Sequence, residues 1–181
     1  MANFSDAYQL TMHVEAGYSN DRNDPGGETF KGVARNFNPK WKGWTIIDQI
    51  KSTHPHDLDT ALNANAGLLQ EIKKFYEINY WDVNHTGFIN NQQLANQVFD
   101  TAVNCGTGMA AKFLQQSAGV KADEQVGKIT IDAVNSANAE ELYNRFLNYR
   151  KEHYLAIISQ KPQLAEFESS WMSRLWPYKT A

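Results

Sequence analysis

A chain of 181 residues with a formal charge of -3 and a pI near 5.9 fits one domain with its own hydrophobic core. That balance excludes a protein that grips nucleic acid through clustered Lys and Arg, because such affinity comes from neutralised phosphates. Cys105 is the only cysteine, which excludes an internal disulfide, and no run approaches the roughly 20 apolar residues of a membrane-spanning helix.

Taken in chain order, the apolar spacing is helical almost throughout. Phe4, Tyr8, Thr11, Met12 and Glu15 share one face at a 3.6-residue period, with Gly17 placed to end that helix. From Tyr18 to Gly32 the residues Asn20, Asp21, Asn23, Asp24, Pro25, Gly26 and Gly27 form a dense turn cluster, with room for a small hairpin at Thr29 to Ala34. Trp41 and Trp44 precede a short helix around Ile46 to Ile50. Asp57 is placed to cap a longer helix that runs through Leu58, Leu62, Leu69 and Ile72 to Tyr76. In the second half Leu94, Val98, Phe99 and Ala102 share a face, and Phe113 and Leu114 follow the break at Gly106 and Gly108. Leu142, Phe146 and Tyr149 mark a long helix, and Leu164, Phe167, Trp171 and Leu175 the last one. The expected architecture is mainly α, a single globular domain with at most a small β-hairpin after the first helix.

The residue with the clearest chemical potential is Glu15. It lies on the apolar stripe of Phe4, Tyr8, Thr11 and Met12, where an ionised carboxylate loses hydration and its pKa rises. A carboxylic acid that keeps its proton near neutral pH can protonate a glycosidic oxygen. The plainer reading pairs Glu15 with Arg22 or Arg35, or turns it outward at the helix end. Asp24 and Thr29 follow nine and fourteen residues later in the Gly-rich segment. A loop folding back over a helix end can set a second carboxylate and a hydroxyl opposite the first acid, the arrangement glycoside hydrolysis commonly needs. Asp21 competes with Asp24 for that place, and both also fit as turn residues.

Two other patterns carry less. Asp82 to Gln93 has the outline of a calcium loop, with Gly87 at the sixth position, but Gln93 stands where a bidentate Glu is needed. His54-Pro55-His56-Asp57 could ligate a metal but sits in a loop without a third ligand in sequence, and helix capping and solvation account for it.

The run His13-Val14-Glu15-Ala16-Gly17-Tyr18-Ser19-Asn20-Asp21, followed by Asp24-Pro25-Gly26-Gly27-Glu28-Thr29-Phe30-Lys31-Gly32-Val33, resembles the Glu-Gly-Gly-Tyr signature of glycoside hydrolase family 108. That family is a bacterial and bacteriophage group of N-acetylmuramidases. Ala16 stands where the signature has its first Gly. Phe99-Asp100-Thr101-Ala102-Val103-Asn104-Cys105-Gly106-Thr107-Gly108, Phe113-Leu114-Gln115-Gln116 and Phe167-Glu168-Ser169-Ser170-Trp171-Met172-Ser173-Arg174 are similar to the peptidoglycan-binding region associated with these enzymes. Ala122-Asp123-Glu124 departs from the Asp-Gly often found there.

The resemblance implies a lysozyme-like fold, a catalytic region over residues 1–90 and a peptidoglycan-binding region over 91–181 packed into the same globule. It implies Glu15 as the catalytic acid, with supporting roles for Asp24 and Thr29, and a chemistry that needs no cofactor and no metal. The expected partner is the glycan strand of peptidoglycan, with a holin, an immunity protein or a secretion apparatus as possible accessories. Alternatives are a lytic transglycosylase on the same bond and a non-catalytic peptidoglycan-binding accessory. Asn104 is a candidate substrate contact, since an amide can bond both donor and acceptor groups of an N-acetyl sugar; capping the helix before Gly106 is its other use. Tyr18, Trp41, Trp44, Tyr80 and Trp81 are candidate sugar-stacking rings, with core packing the alternative for Trp44 and Trp81. Met1 to Asp6 do not read as a secretory signal, so the expectation is synthesis in a bacterial or phage-infected cytoplasm and action on the periplasm or cell wall after release.

Overall fold

The computed structural model describes residues 1–12, 17–21, 23–54 and 56–180. They form a mainly α structure of two compact units, Met12–Glu77 and a second that joins Met1–Thr11 to Ile78–Ala181. No helix among the described residues is long and apolar enough to cross a membrane.

The Met12–Glu77 unit opens with a three-stranded antiparallel sheet of two-residue strands, β1 (Tyr18–Ser19), β2 (Thr29–Phe30) and β3 (Val33–Ala34). β1 lies against β2 with Tyr18 opposite Phe30 and Ser19 opposite Thr29, which adds a strand to the expected hairpin. Alternation along such strands sends Phe30 and Val33 inward, where both are fully buried. Three helices follow, α2 (Gly43–Thr53), α3 (Leu58–Ala64) and α4 (Ala66–Tyr76). α2 begins earlier than its sequence pattern suggests and takes in Trp44, which joins Ile47 and Ile50 on its buried face. The expected long helix from Leu58 to Tyr76 is divided because Asn65 leaves the helical conformation and its side chain accepts the Leu68 N–H at 2.9 Å, capping α4. Asp57 stands before α3 without making a side-chain cap.

The other unit begins with α1 (Phe4–Met12), whose Phe4 and Ala7 are buried. After a π-helical turn at Glu77–Trp81 and a 3₁₀ turn at Thr86–Phe88 come α5 (Gln92–Cys105), α6 (Thr107–Ser117), α7 (Lys128–Ser136), α8 (Ala139–Gln160) and, past a second 3₁₀ turn at Pro162–Phe167, α9 (Glu168–Met172). In the segment with a calcium-loop outline, the Asn84 side chain donates to the Thr107 carbonyl and Asn91 caps α5 by accepting the Leu94 N–H. α5 runs through the middle of this unit: every residue from Leu94 to Ala102 is buried. A helix covered on all sides must pair its polar residues internally, and α5 carries Asn96, Gln97, Asp100 and Thr101 within that stretch.

Their partners come from α8 and the C-terminal segment. Asp100 receives Arg150 on one carboxylate oxygen and Arg174, at 2.8 Å, on the other. Arg150, fully buried, also donates to Gln97 Oε1 at 2.7 Å and, through Nε, to the Tyr154 hydroxyl at 2.9 Å. Gln97 in turn donates to the Arg174 carbonyl at 3.0 Å. The result is a desolvated ion-pair cluster in which each nitrogen of Arg150 and each carboxylate oxygen of Asp100 has a partner.

Candidate active site

Glu15 lies outside the described residues, as does Arg22, one of its two possible ion-pair partners. The segment that follows Glu15 is described, and it is built on glycine and aspartate geometry. A Cβ at Gly17 would stand 2.6 Å from Asp59 Oδ1, so a side chain there must displace that exposed carboxylate. That oxygen, on α3, accepts the Tyr18 N–H at 3.1 Å and so fixes the start of β1.

Asp24 organises the turn before β2. Its Oδ1 accepts the Gly26 N–H at 2.8 Å and its carbonyl accepts the Gly27 N–H at 2.9 Å, an aspartate turn of the usual kind. Gly27 has φ +65°, a left-handed conformation that favours glycine, and a Cβ there would also crowd Asn36 Nδ2 at 2.9 Å. The Gly27 carbonyl then accepts the Thr29 hydroxyl at 3.1 Å. Asp24 and Thr29 are thus tied to the same residue, from its two sides. Asp21 sits one step outward, its Oδ1 accepting the Asn23 N–H at 2.8 Å. Asp24 and Asp21 are both exposed and Thr29 is half-buried.

Arg35, the other possible partner of Glu15, is held by a different acid. Glu28, 8 % exposed, has Arg35 Nε at 3.0 Å on Oε2, and Lys51 Nζ at 2.8 Å and the Tyr18 hydroxyl at 2.7 Å on Oε1. Arg35 also reaches Asp48 at 2.7 Å. The cluster ties β1, the residue before β2, the residue after β3 and α2 into one frame. Burial, and then the hydrogen bond to Glu28, push the Tyr18 hydroxyl above its ordinary pKa, and the bond with Glu28 raises Lys51. Nothing in the local sequence marks Glu28, since its partners lie seven, ten and twenty-three residues away; only its position between the glycines and Thr29 hints at a role.

The candidate sugar contacts divide. Tyr18 is half-buried, with its ring beside Lys51 and its hydroxyl committed to Glu28. Trp44, a candidate stacking ring with core packing as its alternative, lies in the core. It is 4 % exposed, its indole N–H donates to the Asn38 carbonyl at 2.8 Å, the Arg35 guanidinium lies 4.5 Å from its ring centre, and Trp41 meets it edge-on. Trp81 is likewise buried, packed against Phe4 and Phe99. Tyr80 is half-buried on the π-helical turn, a distortion often found at functional positions. Asn104 is exposed in the last turn of α5, which Gly106 terminates. Tyr80 and Asn104 belong to the unit that contains α5, whereas Tyr18, Asp24 and Thr29 belong to the other.

Residues 8–106 match the model of the family described as Glycosyl hydrolase 108, more than half of the chain. The chain belongs to glycosyl hydrolase family 108. Residues 109–176 of this family-108 member match a second family, described as Predicted Peptidoglycan domain. Together the two matches make it a peptidoglycan hydrolase, a glycoside hydrolase that acts on the cell wall. Among solved structures it is similar to SagA of Brucella abortus, at 22 % identity and TM-score 0.64 over 95 % of this chain and 88 % of that one, a likeness of fold. No curated protein matches it.

Proposed function

We propose that this family-108 protein hydrolyses the β-1,4 bond between N-acetylmuramic acid and N-acetylglucosamine, with Glu15 as general acid, Asp24 as second carboxylate and Thr29 orienting the water. In this reading residues 1–90 carry catalysis and 91–181 hold the wall. The observation that carries it is the turn in which Asp24 and Thr29 are bonded to the two sides of Gly27, within the matched family segment that also contains Glu15. Asp24 spends Oδ1 on the turn and keeps its other oxygen for a water or for the positive charge that develops on the sugar ring. Thr29 gives its hydroxyl proton to Gly27, so toward a water it acts as an acceptor. A hydroxyl placed to receive a water proton favours hydrolysis over the transglycosylase route, which needs no attacking water. Asp21 lacks the link to Gly27 and is the weaker claimant.

The test is clearing of outer-membrane-stripped Gram-negative cells, followed by turbidity. Glu15→Gln keeps shape and removes the proton, so the chain is expected to fold and lose at least about a hundredfold in rate, the lower end of what a general acid contributes. Clearing at the parent rate excludes the assignment. Mass spectrometry of the released fragments separates the two reactions, because a transglycosylase leaves an anhydro sugar lighter by one water. Binding to sacculi with no release of reducing ends would instead mark a non-catalytic accessory.

A further inference from the structure

The buried ion-pair cluster reaches the exposed side chain of Asn104 through Tyr154, and it does so with a direction. Arg150 Nε donates to the Tyr154 oxygen at 2.9 Å. A guanidinium has only protons to give, so the single phenolic proton of Tyr154 must go elsewhere. It goes to Asn104 Oδ1, 2.9 Å away. Cys105 Sγ lies 3.6 Å from the same oxygen and 3.7 Å from the Tyr154 hydroxyl, and its one weak proton is shared between the two. The opposite amide orientation would aim Asn104 N–H groups at a hydroxyl oxygen that already receives Arg150, and would leave the Tyr154 proton only the weakly accepting Cys105 sulfur. Oδ1 is therefore turned inward, held by the Tyr154 proton. The Nδ2 amino group makes no hydrogen bond among the described residues, and Asn104 is exposed. Burial raises the pKa of both Tyr154 and Cys105, which keeps both groups protonated, and so donating, at neutral pH.

We propose that Asn104 is a one-way donor to the N-acetyl carbonyl of the glycan strand, and that Tyr154, backed by Arg150, is the positioning residue that sets its direction. An amide free to rotate recognises donors and acceptors alike; one with its oxygen spoken for recognises only acceptors. The N-acetyl carbonyl is a stronger acceptor than the hydroxyl oxygens, which are all that a plain glucan offers an N–H donor, so this side chain favours acetylated sugars. The inference rests on the reading that N-acetylated peptidoglycan strands are the substrate.

The experiment compares two neutral β-1,4 probes, the N-acetylglucosamine tetramer and cellotetraose, by calorimetry on the full chain carrying Glu15→Gln so that neither is consumed. In that background Asn104→Asp keeps an acceptor for Tyr154 and Cys105 but replaces the outward donor with an oxygen. It is expected to weaken the acetylated tetramer about tenfold, the size of one lost hydrogen bond, and to leave cellotetraose unchanged. Tyr154→Phe keeps the ring stacked on Trp171 and frees the amide to turn; with folding at the assay temperature checked by circular dichroism, the ratio of the two affinities is expected to fall about threefold. A merely structural tyrosine would shift stability, or both affinities together, and leave that ratio alone. Equal loss on both probes, or no loss in Asn104→Asp, overturns the proposal; an unchanged ratio in Tyr154→Phe overturns the positioning role. Failure of the muramidase reading shows separately, as cell clearing retained by Glu15→Gln.

Discussion

Gly17 shows how a single missing side chain holds a strand in place. Asp59 approaches the backbone so closely that a Cβ at Gly17 would meet its Oδ1 at 2.6 Å, and the same oxygen accepts the Tyr18 N–H. Gly17→Ala must turn the exposed carboxylate aside and lose that bond, at a cost of about 0.5–1.5 kcal/mol in urea denaturation. The loss should be specific to the pair: on top of Asp59→Ala, where no carboxylate remains to strike, Gly17→Ala is expected to cost less than about 0.5 kcal/mol, as a double-mutant cycle would show. Asp24, Thr29 and the glycines between them were legible in the sequence because turn chemistry is local, set by residues within a few positions. Glu28 was not, because its role comes from Arg35, Lys51 and Tyr18, which only the folded chain assembles. Trp44 keeps both of its readings in the sequence for the same reason: an aromatic residue looks alike there whether its ring faces sugar or, as here, is covered by an arginine.

At the scale of the element, α5 shows where periodicity stops informing. The spacing of Leu94, Val98, Phe99 and Ala102 marks a helix with one apolar face, and the helix is there. The pattern does not reveal that the opposite face is buried too, since Asn96, Gln97, Asp100 and Thr101 read as a solvated side. They are instead the polar interior of the unit, answered by Arg150 from α8 and Arg174 from the C-terminal segment. A buried pair adds little over an apolar substitute, yet removing one partner strands the other. Asp100→Ala leaves Arg150, fully buried, without its counter-charge, and is expected to destabilise the chain by about 3–5 kcal/mol in urea unfolding. A loss under about 1 kcal/mol would mean that solvent reaches Arg150 and that the cluster does not fix the end of α5.

For the whole molecule, sequence order and compaction diverge. The family matches divide the chain between residues 106 and 109, and the proposed functional division falls at residue 90, yet Met1–Thr11 folds with Ile78–Ala181. The reason is apolar: Phe4 is 8 % exposed and its ring centre lies 5.6 Å from that of Trp81 and 5.5 Å from that of Phe99, on α5. Such a contact between residues ninety-five positions apart closes a long loop and is invisible to any local pattern. Phe4→Ala removes an aromatic side chain from this cluster and leaves a cavity, a change that costs about 3–5 kcal/mol. Hydrogen exchange locates the damage. If α1 is part of the α5 unit, amide protection within Gln92–Cys105 falls in Phe4→Ala, because the helix that loses its packing partner opens more often. Unchanged protection in α5, with the loss confined to the first dozen residues, would mean that the N-terminal helix rests on the unit without stabilising it.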